Sequence, residues 1–179
     1  MAGHSKWAQI KRKKAVTDAQ KSKEFAKLLR KITIAAKEKG LDPEANPALR
    51  AAMDAAREAN IPASNMERAI ERASGAGKST LESVLFEAYG PGGAAILIEG
   101  VTDNTNRTAQ EVKHILLEHG AKLAGPGSAR FLFQKTASGW EPVTPLPADD
   151  ATKETLAKLF ETLDLHDDVT DIYTNADLS

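Results

Sequence analysis

The residues best equipped for chemistry stand at the front of the chain: His4, Ser5, Lys6 and Trp7, then Lys11, Arg12, Lys13 and Lys14. An aromatic ring stacks on unpaired bases, and small polar groups contact a ribose 2′-OH. Successive cations hold a phosphate backbone. A second basic set, Lys21, Lys23, Lys27, Arg30 and Lys31, follows at helical spacing and extends the same chemistry. Trp7 also has a purely structural reading, as an apolar anchor packed on neighbouring helices. Farther along, "TDNTNRT" places Asp103, Asn104, Asn106 and Arg107 where a strand gives way to a helix. One such residue suffices to cap a helix. A cluster of them reads either as a cap or as a secondary polar binding edge, where free N–H groups of the helix terminus meet an anion.

Charge is unevenly spread. The net charge is −1, yet residues 1–40 carry +9, residues 41–140 carry −2 and residues 141–179 carry −8. This asymmetry points to a polyanion as partner of the basic end. An acidic protein, or the chain's own acidic end, is the rival partner.

Other chemistries find little support. The chain has no cysteine, which excludes disulfides, thiolate metal sites and Cys nucleophiles. His114 and His119 are five residues apart, about 140° around a helix, so they do not converge on an ion. No metal and no cofactor is expected. "GAGKST" at 75–80 suggests a phosphate-binding loop, but Arg72 stands where that pattern requires glycine. It also follows a helix and precedes a strand, the inverse of the required context. A linker is the expected role. The Asp167-Asp168 pair could hold a cation, but solvated turn residues explain it better. No nucleophile–base pair is recognisable, so a non-enzymatic protein is expected. No apolar run approaches the roughly 18 residues of a membrane span, and the N-terminus lacks the apolar stretch of a secretory signal. A cytoplasmic protein without membrane partners, and a monomer, is the expectation.

The elements that must position these residues follow from periodicity. Thr17 and Gln20 form a capping box, and Phe25, Leu28, Leu29 and Ile32 recur at helical spacing until Gly40. Lys23, Lys27, Arg30, Lys31 and Lys37 are assigned to the outer face of this helix. Asn46-Pro47 opens a second helix that Ile61-Pro62 ends, and Ser64 with Glu67 caps a third. "SVLFEAYG" and "AAILIEGV" form a hairpin around Gly90-Pro91-Gly92-Gly93. Residues 105–119 and 149–164 are helical. "ARFLFQK" gives a third strand and "DVTDIYT" a last one. The predicted fold is α+β: a three-helix bundle, then a ferredoxin-like α/β sandwich with a mainly antiparallel sheet.

"MAGHSKWAQIKRKKAVTDAQKSKEFAKLLRKITIAAK", "DPEANPALRAAMDAAREANIP", "NMERAIERASG", "FEAYGPGG", "TDNTNRTAQEV" and "GPGSARFLF" occur here in order. Together they resemble the YebC/PmpR family, which includes the mitochondrial translational activator of cytochrome c oxidase. The resemblance covers nearly all of residues 1–135 and resumes near 151–175. It implies a helical first domain and two α/β domains, the third inserted in the second. Only residues 136–148 stand where that insert falls, too few for a core. The expected layout is therefore an arm and bundle at 1–75, a linker at 76–82 and a sandwich at 83–179, with 136–148 a loop in place of the third domain. The resemblance also implies a nucleic-acid-binding regulatory factor. Within the family this means DNA-binding control of transcription, or action on the ribosome and its RNA to relieve stalling, as at consecutive prolines.

Overall fold

The computed structural model describes residues 17–75 and 80–179. They form two compact units: 17–75 with 80–83 and 101–104, and 84–100 with 105–179.

Three helices build the first unit. Helix α1 spans Asp18–Lys39, α2 Pro47–Glu58 and α3 Ala63–Ser74. The expected box opens α1: the Gln20 amide donates to Thr17 Oγ1 (3.3 Å) and the Thr17 amide to Gln20 Oε1 (2.8 Å). Ser64 does not cap α3. That helix begins two residues earlier, after Pro62, whose carbonyl accepts from the amides of Asn65 and Met66 with no side-chain cap. Proline's φ is already helical, so the turn starts without a side-chain oxygen. The core joins Ile32, Leu49, Ile61 and Met66 to Ala35, Ala36, Ala52, Ala56 and Ala69. Alanines at the helix contacts let the backbones approach closely, which three short helices need to exclude water.

The second unit is layered. Strands β1 (Glu82–Tyr89), β2 (Ala95–Thr102), β3 (Lys122–Ala124) and β6 (Val169–Thr174) form one sheet in the order β3-β1-β2-β6. β3 runs antiparallel to β1, with Ala88 opposite Leu123, and β6 antiparallel to β2, with Leu97 opposite Tyr173. The connection 90–94 is too short for anything but a hairpin between β1 and β2. Helix α4 (Thr105–Glu118) then carries the chain across β1 to β3, the split crossover of ferredoxin-like sheets. The ladder of β2 and β6 shifts register at Gly100, where an added Cβ would lie 2.6 Å from the Asp168 carbonyl oxygen. Only glycine admits that approach.

Alternation divides the strands between two faces. Ile96, Ile98 and Ile172 meet Val112 and Leu116 of α4 and Leu156, Leu159, Phe160 and Leu163 of α5 (Asp150–Asp164). The opposite face, with Leu97 and Tyr173, is covered by Ala129, Leu132, Phe133 and Trp140. Here the structure departs from expectation. "ARFLFQK" does not join the main sheet: residues 130–132 make a 3-10 turn, and β4 (Phe133–Thr136) pairs only with β5 (Gly139–Pro142). The third strand of the main sheet is instead the three-residue β3. Segment 136–148, expected as a loop, contains β5. It ends with Leu146 bonded to the last residues: the Leu146 amide donates to the Asn175 carbonyl (2.7 Å) and the Asp177 amide to the Leu146 carbonyl (2.8 Å).

Candidate nucleic-acid interface

The expected contacts His4, Ser5, Lys6, Trp7 and Lys11–Lys14 lie outside the described residues, as do four residues of the expected linker. The rest of the basic set sits on α1, and the helix does not present it as one solvated face. Lys21 and Lys23 are exposed in the first turns, Lys21 4.0 Å from Asp18. Lys27 is only 7% exposed, and Arg30 and Lys31 are half-buried. Arg30 Nη1 donates to the Val101 carbonyl (3.3 Å), and Lys37 Nζ to the Leu81 carbonyl (2.9 Å). Ser83 Oγ donates to Glu38 Oε1 (2.6 Å). Segments 80–83 and 101–104 thus lie along the side of α1 away from the three-helix core. The assignment of Lys27 to an outer face is corrected: residues 27 and 34 share one stripe, and both are buried. Sequence periodicity finds the core stripe but not a second covered stripe made by distant segments.

The polar edge is also more engaged than expected. Asp103, Asn104, Asn106 and Arg107 are all exposed, and the Asn104 amide donates to Thr102 Oγ1 (3.0 Å). Arg107 Nη2 donates to Asp168 Oδ2 (2.7 Å), and Thr108 Oγ1 donates to the same oxygen (2.8 Å). Asp168 is 3% exposed, so its reading as a solvated turn residue is corrected. It is a buried carboxylate that ties the first turn of α4 to the start of β6. Its neighbour Asp167 had the same residue type and no pattern to separate them.

Glu111, His166 and Asp168 bring one ligand atom each to within 4.8 Å of one another. The hydrogen bonds argue against an ion there. The Asp168 amide donates to His166 Nδ1 (3.1 Å), so Nδ1 accepts and Nε2 carries the proton toward Glu111 Oε2 (2.7 Å). Both ring nitrogens of His166 are therefore engaged within the protein, and an ion would have to displace one of these bonds. The trio is a cross-link between α4 and the 165–168 turn.

Sequence reasoning missed two carboxylates on the sheet face opposite the helices. Glu87, on β1, is 5% exposed. It accepts from the amides of Gly127 (2.6 Å), Ala129 (2.8 Å) and Arg130 (2.7 Å). Burial pushes its pKa up, but these three amides and the Arg130 guanidinium outweigh burial and hold it below the ordinary glutamate value. Glu99, on β2, accepts from Trp140 Nε1 (2.8 Å) and Lys135 Nζ (2.9 Å) on Oε1, and from the Tyr173 hydroxyl (3.3 Å) on Oε2. Burial, then Asp171 and Glu99, push the Tyr173 phenol far up, so it remains a donor. A lone acid at the same strand parity as apolar partners was the available signal.

These features define a two-unit α+β protein whose helical unit carries a lysine-bearing helix. The chain belongs to the TACO1/YebC family: residues 5–76 match the model described as the TACO1/YebC protein N-terminal domain, and residues 81–138 that of the second and third domain. A relative from Rubrobacter xylanophilus, named a "probable transcriptional regulatory protein", is 47% identical over 87% of this chain and 61% of its own length. One from Hydrogenobaculum with the same description is 50% identical over 75% and 55%. The chain thus spans little more than half the length of these relatives. A crystal structure of a conserved hypothetical protein from Aquifex aeolicus matches with a TM-score of 0.84 at 30% identity, covering 97% of each chain. No helix among the described residues is long and apolar enough to cross a membrane.

Proposed function

We propose that this protein is a non-enzymatic, nucleic-acid-binding regulatory factor that acts on DNA to control transcription, as a monomer in the cytoplasm. The observation that carries the reading is the concentration of +9 charge in residues 1–40, which include the basic arm and α1. Such a concentration of basic charge is the electrostatic footprint expected of a phosphate-binding protein. The names of the relatives support a regulatory role.

A second reading, a translation factor bound to ribosomal RNA, is favoured by the state of α1. Its central arginine donates to a backbone carbonyl and Lys27 is buried, while the exposed end offers Lys21 and Lys23. Lysines act as point charges on phosphate, whereas base reading in the major groove calls for the forked donors of Arg, Asn or Gln. A surface of this kind suits shape and backbone more than sequence.

Reversing two exposed charges tests both readings. Lys21→Glu with Lys23→Glu will lower affinity for duplex DNA or ribosomal RNA at least tenfold near 0.1 M salt. It will also make the log–log salt dependence shallower by about two units on duplex. The thermal midpoint will move little, because both side chains are exposed. Unchanged affinity and slope would move the nucleic-acid contact off α1.

A further inference from the structure

The layer covering the far face of the sheet holds a surface that the basic helix does not account for. Its loop, 125–130, is fixed from within. Glu87 takes three of its amides, the Tyr89 hydroxyl donates to the Ser128 carbonyl (2.5 Å), and Ser128 Oγ donates to the Gly125 carbonyl. Burying a carboxylate to hold an external loop is expensive unless donors gather around it, and here three amides do. At the end of this pinned loop Phe131 stands 69% exposed, while its neighbours Leu132 and Phe133 turn toward the sheet. A mobile loop could fold an aromatic ring back; this one displays it.

One residue before Phe131 in the chain, the Arg130 guanidinium lies 5.4 Å from the centroid of the Trp140 ring. Lys135 Nζ lies 4.7 Å from the same ring, and Trp140 is held in place by its bond to Glu99. Among the described residues no acceptor takes a hydrogen bond from the Arg130 guanidinium. The guanidinium is solvent-exposed beside the ring, and its charge also acts on Glu87.

We infer that Phe131 and Arg130 form a second contact point that takes an unpaired nucleotide, its base stacked on Phe131 and its phosphate held by Arg130. A nucleotide supplies both a π-face and an anionic oxygen within one residue, which an apolar peptide does not. The inference rests on the nucleic-acid reading above and adds to it a preference for unpaired bases.

The test uses the full chain, labelled 12-nucleotide RNA and DNA single strands, a duplex of the same sequence, and an abasic single strand of the same length. Phe131→Ala should weaken binding to the RNA or DNA single strand about tenfold, within the range for loss of one stacked base. It should leave the salt slope and thermal midpoint unchanged. On the abasic strand the wild type and Phe131→Ala should bind alike. Arg130→Gln should make the single-strand slope shallower by about 0.7. The RNA and DNA arms show which strand is preferred, and loss on either one supports the contact. Equal binding of wild type and Phe131→Ala to both single strands overturns this inference and leaves the nucleic-acid reading standing. An equal loss on the abasic strand also overturns it, since no base is there to stack. If the wild type binds none of the four probes, both readings fall together.

Discussion

Replacing Glu87 with glutamine will destabilise the sheet unit by about 3 kcal/mol and release the 125–130 loop. Glu87 Oε1 accepts one amide and Oε2 accepts two. Glutamine keeps one oxygen, and its NH2 must then face an N–H donor whichever way the amide is turned. At least one backbone donor loses its acceptor, and the charge that strengthens all three bonds is gone. Hydrogen exchange reads this locally: the amides of Gly127, Ala129 and Arg130 should be protected in the wild type and exchange fast in the variant. The pH dependence follows from the lowered pKa. Between the folded and unfolded pKa values the unfolded chain binds the proton more readily, so stability rises with pH across that window. The contribution is complete above the ordinary glutamate value, about 4.3, and is lost as pH falls through the folded one. The stability gap between wild type and Glu87→Gln should therefore be constant near neutrality and shrink in acid. A gap that persists unchanged into strong acid would show that the three amides do not depend on the charge.

Asn46→Asp will cost the helical unit about 3–5 kcal/mol, although aspartate is as good a helix cap as asparagine. Asn46 Oδ1 accepts from the Leu49 amide (3.0 Å), which caps α2. The same side chain is fully buried, and its Nδ2 donates to the carbonyls of Ala35 (2.9 Å) and Gly40 (2.8 Å) at the end of α1. The residue therefore clasps two helix ends at once. Aspartate preserves the cap and sets a second carboxylate oxygen against two carbonyl oxygens. A helical unit of this size moves by roughly 4–8 °C per kcal/mol, so the helical melt should drop by more than 10 °C. Thermal denaturation followed by circular dichroism checks it. A near-neutral outcome would mean that Asn46 acts as a cap alone.

Much of the fold was legible because local signals and tertiary structure agree. Thr17 with Gln20 and Asn46-Pro47 mark helix starts that the structure keeps, and the glycine-rich 90–93 turn joins two strands within a residue or so of their expected ends. Errors arose where a distant segment decides. β3 is three residues long, too short to show alternation, and exists because β1 offers it an edge. Phe133 looked like a strand residue and is one, but its partner is Pro142 rather than the main sheet. Lys27 has the spacing of an exposed lysine and is nevertheless buried. Glu87 and Asp168 are the same failure in reverse. Nothing local distinguishes a carboxylate that solvates from one that gathers amides or an arginine across 40 to 60 residues of chain. The charge asymmetry was legible from composition alone. Which of the charges remain available to a partner was not.

The decisive measurement is binding of the purified chain to a labelled random-sequence duplex across a salt series, with whole ribosomes as competitor. Binding should weaken steeply with salt, by about one log unit of slope per phosphate contact on duplex. At physiological salt, a specific DNA fragment that outbinds the random duplex supports the transcriptional reading. Saturable displacement by about one ribosome per chain supports the translational one. Binding to neither, or binding that ignores salt, would contradict the claim that residues 1–40 exist to hold nucleic acid.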